Sequence, residues 1–192
     1  MTRDDILEAA AQVFRQKGFH GASMQDIAEA VKLQKASLYH HVSSKQEILL
    51  ALLDRALDLL FERLEPLAHQ NLSADEKLRQ MILAYLQALT DEIDLASVLL
   101  LEHRSLEPEL HARHVPKRDR FEALWREVIA QGRQEGRFAV TDVPLTVRAI
   151  LGILNWTITW YRPQGVLSVR QIGEAYADLL LNGLLPRSGD QE

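Results

Sequence analysis

Ile6, Ala10, Val13 and Phe14 recur at i, i+4, i+7 and i+8 near the start of the chain. One apolar stripe at that period predicts a helix from about Thr2 to Lys17, with Gly18 ending it. After the loop "GFHGAS", Ser23 offers a side-chain oxygen to the free N–H groups of a second helix, Met24 to about Val31, whose inward face is Ile27, Ala28 and Val31. A third helix, about Gln34 to His41 with Leu38 as its core contact, follows almost at once. "VSSK" then supplies Ser43 or Ser44 as the cap of a long fourth helix that Pro66 is expected to end.

Beyond Pro66 the periodic runs lengthen. Ser73 and Glu76, three apart, form a capping-box signature and open a helix to about Glu92. The apolar run Ile93 to Leu101 is expected to carry a helix on to Arg104. Pro108 suits a first helical position, and Pro116 should kink or split the helix that runs to about Gln131. "QGRQEGRF" reads as a turn, Pro144 starts a helix to Tyr161, "RPQG" breaks the chain, and Ser168 with Gln171 caps a last helix to about Leu184. The pattern predicts an all-α fold of about nine helices without a convincing strand. It divides into a three-helix domain over residues 1–46, a larger helical domain over 47–186 and a flexible tail, "RSGDQE", over 187–192.

The last helix carries one stripe of Ile172, Ala175, Tyr176, Leu179 and Gly183, while Leu180, Leu181 and Leu184 make its other side apolar too. Ala149 to Tyr161 is similar. A helix apolar nearly all round must bury both faces, in the core of its own subunit or against a partner.

Composition narrows the function. The chain has no cysteine, which excludes a disulfide framework, a thiolate metal site and a cysteine nucleophile. "MTRDDILEAA" has acids where a signal peptide has basic residues, so a cytoplasmic location is expected. The longest uncharged stretch, residues 149–161, is shorter than the roughly 20 residues that span a bilayer, so no membrane span is expected. His103, His111 and His114 invite a metal, but Glu-x-x-His and His-Glu-x-x-His are absent, as are a glycine-rich phosphate loop and Gly-x-Ser-x-Gly. No catalytic residue, metal or cofactor is expected.

Net charge is −5, which speaks against a nucleic-acid partner until its distribution is considered. Residues 1–50 carry six Lys/Arg against six Asp/Glu, so the acidity lies further on. Two short helices joined by a tight turn, about residues 22–41, fit a helix-turn-helix, whose second helix enters the major groove. Gln34, Lys35 and Ser37 suit bases or phosphates, and Ala36 permits close approach and contact with a thymine methyl. Tyr39, His40 and Lys45 would lie near the backbone, and Ser23 at the start of the second helix, where free N–H groups favour phosphate. The same residues also fit the surface of an ordinary helical hairpin.

"ILEAAAQVFRQKGFHGASMQDIAEAVKLQKASLYHHVSSKQEIL" resembles the N-terminal domain of the TetR family of bacterial transcriptional regulators. The resemblance rests on Ala10, Phe14 and Gly18, on "DIA" at 26–28, on "SLYHH" at 37–41 and on Lys45. It implies that Gln34 to His40 form the recognition helix, that Tyr39 and His40 contact DNA and that Lys45 contacts phosphate. Lys32 stands where a turn glycine is commonest, a position that favours positive φ. Val42 stands where phenylalanine is usual.

The resemblance also implies a homodimer, in which the last two long helices of each subunit form a four-helix bundle. Leu154, Ile158, Tyr161, Ile172, Tyr176, Leu179 and Gly183 are the candidate interface residues. The middle of the chain should hold a small hydrophobic effector, with Leu60, Leu64, Tyr85, Leu89, Leu100, Arg104, Leu124, Trp125, Trp156 and Arg162 as candidate lining, although each also fits plain core. "NWTITWYRPQGVLS" is similar to the C-terminal segment of TetR members that answer to acyl-CoA thioesters. That resemblance implies an apolar tunnel for the acyl chain and cations for the phosphates, drawn from Arg104, Arg113, Lys117, Arg118, Arg120 and Arg162. "ARHVPKRDR" fits equally a solvated helix face. The expected protein is a repressor that releases operator DNA when its effector binds. The alternatives are another hydrophobic effector, or a helical small-molecule-binding protein without DNA binding.

Overall fold

The computed structural model describes residues 2–183, and among these it contains helices and turns but no strand. The helices are α1 (Arg3–Gly21), α2 (Met24–Ala30), α3 (Lys35–Leu38), α4 (Lys45–Ala68), α5 (Ala74–Asp91), α6 (Ile93–Ser97), α7 (Pro108–Gln134), α8 (Val143–Trp160) and α9 (Val169–Asn182). A π-helical segment, Val98–Glu102, and a 3-10 turn, His103–Ser105, lie between α6 and α7. The expected Leu184 terminus and the 187–192 tail lie outside the described residues. The chain packs as two compact units, Met1–Leu59 with Glu92–Phe121, and Leu60–Asp91 with Glu122–Glu192. The expected boundary after residue 46 falls inside the first unit.

In the first unit, α1 buries Ile6, Ala10 and Phe14 completely, together with Leu7, Ala11 and Val13. The regular helix breaks at Gly18, as expected. Gly18 adopts φ 70° and ψ 158°, which breaks the regular ladder, and one more turn follows to Gly21. Below it α3 is shorter than the expected Gln34 to His41. Leu38 is its only buried residue, and the N–H groups of His41 and Val42 both donate to the Leu38 carbonyl, at 3.0 and 3.2 Å, closing a turn instead of another helical round.

One proline and one serine correct the expected helix ends. The fourth helix passes Pro66 and ends at Ala68, and α7 runs through Pro116 without splitting. Each proline is exposed, as are Glu62 and Ala112, whose carbonyls lose their helical partners on the solvent side, where an unmade backbone bond costs least. The run Ile93 to Arg104 is not one helix. The Ser97 hydroxyl donates to the Ile93 carbonyl at 2.6 Å, competing with the backbone where α6 gives way to the π-helical segment.

The second unit is built on α5, which packs against both α8 and α9. Its core holds Leu64, Met81, Tyr85, Leu89, Trp125, Ile129 and Leu154. Gly173 lets α9 approach α5 closely, since a Cβ there would lie 2.7 Å from Leu83 Cδ2. At the edge of that seam Arg79 bridges Glu174 and Asp178, at 2.7 and 2.5 Å. The Tyr85 and Trp125 rings meet edge to face at 5.6 Å, and both side chains are almost wholly buried. Trp125→Ala should therefore cost about 3–5 kcal/mol, the range for emptying a large buried aromatic site. A clearly lowered urea midpoint in circular dichroism is the expected reading.

Candidate nucleic-acid interface

The interface starts from the cap of α2. The Ser23 hydroxyl accepts from the Asp26 N–H at 3.1 Å, while the Ser23 N–H and hydroxyl donate to Asp26 Oδ2 at 2.8 and 2.7 Å. Lys17 Nζ meets the other carboxylate oxygen at 2.6 Å. Lys17, then the Ser23 donors, hold the Asp26 carboxyl far below the usual carboxylate range. Ser23 is exposed but commits its side chain to opening α2. The turn that follows places Lys32 at φ 56°, the left-handed region where glycine is commonest, and the Leu33 N–H closes onto the Ala28 carbonyl at 2.8 Å.

That turn presents α3 with a divided surface. Leu38 is fully buried, whereas Gln34, Lys35, Ala36, Tyr39 and His40 are exposed and Ser37 is half-buried. Gln34 caps α3 by position only, without a side-chain bond, so its amide stays available. Tyr39 leaves 47% of its surface in solvent. The structure thus brings Gln34, Lys35, Ala36, Ser37, Tyr39 and His40 onto one short, mostly solvated element with side chains suited to reading base edges and gripping phosphate.

Lys45 is placed differently. Its ammonium donates to the carbonyls of Phe19 and Ala22, at 2.8 and 2.7 Å, and lies 4.4 Å from the centre of the Phe19 ring. It fastens the turn after Gly18 to the start of α4. Sequence reasoning named the residue but missed these partners, because a lysine carries no local signal for carbonyls more than twenty positions away.

Further along α4, Glu47, Asp54 and Asp58 pair with Arg113, His114 and Lys117 of α7 at 3.3, 3.0 and 2.7 Å, all within the first unit. Two of the candidate cations for an effector are thereby engaged. Arg104 and Arg162 are exposed, with no acidic partner among the described residues. Burial, then the neighbouring Arg104 and Arg118 charges, push the His103 imidazole below its ordinary pKa.

Of the candidate effector residues, Leu60, Leu64, Tyr85, Leu89, Leu124 and Trp125 are buried and belong to the second unit, whereas Leu100 and Arg104 belong to the first. Tyr85 Oη donates to Asn155 Oδ1 at 2.6 Å, and burial raises the pKa of that hydroxyl strongly. Trp125 Nε1 and Thr157 Oγ1 are buried without a hydrogen-bond partner among the described residues. Trp156 is a correction. It is 67% exposed and points away from the core of its own unit.

The apolar face of α8 is rotated accordingly. Val147, Ile150, Leu151, Leu154 and Thr157 face inward, and Leu145, Trp156 and Trp160 face out, at 61, 67 and 43% exposure. Leu154 and Ile172 were expected at a subunit interface and are instead core of the subunit itself. Ile158, Tyr161 and Tyr176 are half-buried, while Leu179 and Gly183 are exposed. A helix apolar on every side gives no phase from which its inward face could be chosen.

A capped helix, a left-handed turn and a short solvated helix rich in hydrogen-bonding side chains define a DNA-binding helix-turn-helix regulator. The chain belongs to the TetR family: residues 6–52 match the model for bacterial regulatory proteins of the tetR family, and residues 71–184 match the tetracyclin repressor-like C-terminal domain. It is 30% identical over 184 residues to the HTH-type transcriptional repressor KstR2 of Mycobacterium tuberculosis, covering 95% of this chain and 92% of that protein. The TetR-family regulator PfmR from Thermus thermophilus superposes with a TM-score of 0.86 at 37% identity, over 94% of this chain and 99% of the other. AibR, solved in complex with isovaleryl coenzyme A and operator DNA, superposes with a TM-score of 0.87 at 28% identity, over 93% and 97% of the two chains. No helix among the described residues is long and apolar enough to cross a membrane.

The cap of α2 has a pH signature. Because the folded protein holds Asp26 below its ordinary pKa, the stabilisation is complete above about pH 4 and is lost as pH falls toward the depressed folded value. Asp26→Asn should lower the thermal midpoint at pH 7, and the gap from wild type should narrow at pH 3. Equal midpoints at pH 7 would show that the cap contributes nothing.

Proposed function

We propose that this protein is a homodimeric repressor that binds a palindromic operator through Gln34, Lys35, Ala36, Ser37, Tyr39 and His40 and lets go when an acyl-CoA thioester binds. The observation that carries the reading is the solvated recognition element on a chain that matches, along nearly its whole length, a regulator captured with both an acyl-CoA and its operator. A helix-turn-helix offers little contact surface, so two are needed, on half-sites about 34 Å apart or a multiple of that. The outward Leu145, Trp156 and Trp160 supply an apolar surface suited to pairing α8 and α9 with those of a second copy.

The effector acts by differential affinity. It must bind the DNA-incompetent arrangement more tightly, since equal affinity for both arrangements shifts nothing, and DNA then weakens effector binding by the same factor. In this reading α4 swings, and the two recognition helices no longer match the half-site spacing. Within the second unit the buried Tyr85, Leu89, Leu124 and Trp125 suit an acyl chain, and the exposed Arg162, without an acidic partner among the described residues, suits its phosphates.

Fluorescence anisotropy on a duplex selected from a random library by the protein tests both halves. Saturable binding reversed by one or more members of an acyl-CoA panel is expected. A protein that selects no duplex would be a ligand carrier at most, and binding that no thioester reverses would discard the effector. Trp156→Glu, which puts a charge on the outward face of α8, should shift the sedimentation coefficient to that of a monomer while leaving the helical content intact. A dimer that persists would place the subunit interface elsewhere.

A further inference from the structure

Half of the Lys and Arg side chains in the first fifty residues are committed to partners in the same chain. Arg15 pairs with Asp94 at 2.6 Å, Lys17 pairs with Asp26 at 2.6 Å, and Lys45 is held by two carbonyls. Of the six Lys and Arg in that stretch, Arg3, Lys32 and Lys35 have no acidic partner among the described residues. A duplex that demands phosphate neutralisation meets few standing cations there.

The geometry beside α3 supplies more. A groove of about 330 Å³ is lined on its polar side by Arg3, Tyr39, His40, His41, Ser43 and Glu47. Arg3 comes from the first turn of α1, and its guanidinium offers a fork of donors that matches a phosphate. The Tyr39 and Ser43 hydroxyls add neutral donors. Glu47 is the acid facing this space, and its carboxylate is already met by Arg113 at 3.3 Å. Asp4, next to Arg3, has Arg55 at 3.9 Å.

We propose that this groove grips a backbone phosphate of the operator, with Arg3 as its standing cation and His40 and His41 as cations that arrive with a proton, so that DNA binding takes up protons. The inference rests on the helix-turn-helix reading above, and adds a grip that the recognition helix alone does not contain. Histidine is the side chain that gains its charge between about pH 8 and 5, and a phosphate placed beside it favours the charged form. Protonation and DNA binding then strengthen each other by linkage. The charged groups facing the two imidazoles are Arg3 from α1 and Glu47 from α4, the latter balanced by Arg113 from α7.

The test uses the full-length protein and a selected duplex, with a scrambled duplex of equal length beside it, in anisotropy titrations at pH 6, 7 and 8 and several salt concentrations. Affinity for the selected duplex should rise about tenfold from pH 8 to pH 6. The His40→Gln/His41→Gln double variant should flatten that dependence. Arg3→Ala should weaken both duplexes alike and lower the salt slope by about one per subunit, and Arg3→Lys should restore it. Affinity that does not change with pH, a pH dependence that survives the double variant, or an unchanged salt slope in Arg3→Ala would each overturn the groove. If wild type selects no duplex at all, the DNA-binding reading falls with it. If wild type binds well and these variants behave like it, the groove alone is wrong.

Discussion

The first unit depends on how the backbone between Gly18 and Ser23 is held. The N–H groups of Ser23 and Asp26, which a continuous helix would give to the Phe19 and Ala22 carbonyls, are committed to the Ser23 cap, while Phe19 must still be buried under the turn. Lys45 resolves this by giving its ammonium to the carbonyls of Phe19 and Ala22 and laying that charge over the Phe19 ring. One contact therefore joins the end of α1, the approach to α2 and the start of α4. With those three fixed, the Ser23 cap and the Lys32 turn leave α3 a single place to bury Leu38, and its polar residues face solvent.

This arrangement explains how a chain of net charge −5 keeps a face for DNA. The ion pairs of Arg15 with Asp94 and of Lys17 with Asp26 lie at the surface and subtract from the unit's long-range field. What stays free is short-range and directional: an amide, hydroxyls, imidazoles and a few cations on α3 and at the start of α1. Such groups act at contact distance, where geometry counts for more than total charge. The acid residues of α4 that pair with α7 belong to the same logic, since Glu47, Asp54 and Asp58 are answered by Arg113, His114 and Lys117 within one unit.

Much of this was legible in advance where the cause is local. Ser23, the Ser73 and Glu76 pair, and Ser168 with Gln171 cap their helices, because a hydroxyl, carboxylate or carboxamide three residues from a free N–H needs no distant help. The stripe through Ile6, Ala10 and Phe14 and the inward Ile27, Ala28 and Leu38 are core for the same reason of period. Pro66 misled the reading of where α4 ends. Whether a missing hydrogen bond ends a helix depends on whether water reaches the freed carbonyl, and that depends on the packed surroundings.

The sequence by itself determined an all-helical fold, the helix-turn-helix and the family it belongs to, since capping, period and turn chemistry act over a few residues. Tertiary structure alone decided which side of each evenly apolar helix turns inward. Trp156 faces solvent while Leu154, two positions away, is core, and no spacing in α8 distinguishes them. It also decided that Lys45 serves two carbonyls of its own chain, and that Arg3 meets Tyr39, His40 and His41 around one groove. These are pairings between residues far apart along the chain, set by which surfaces bury the most apolar area together, and only the folded chain makes that choice.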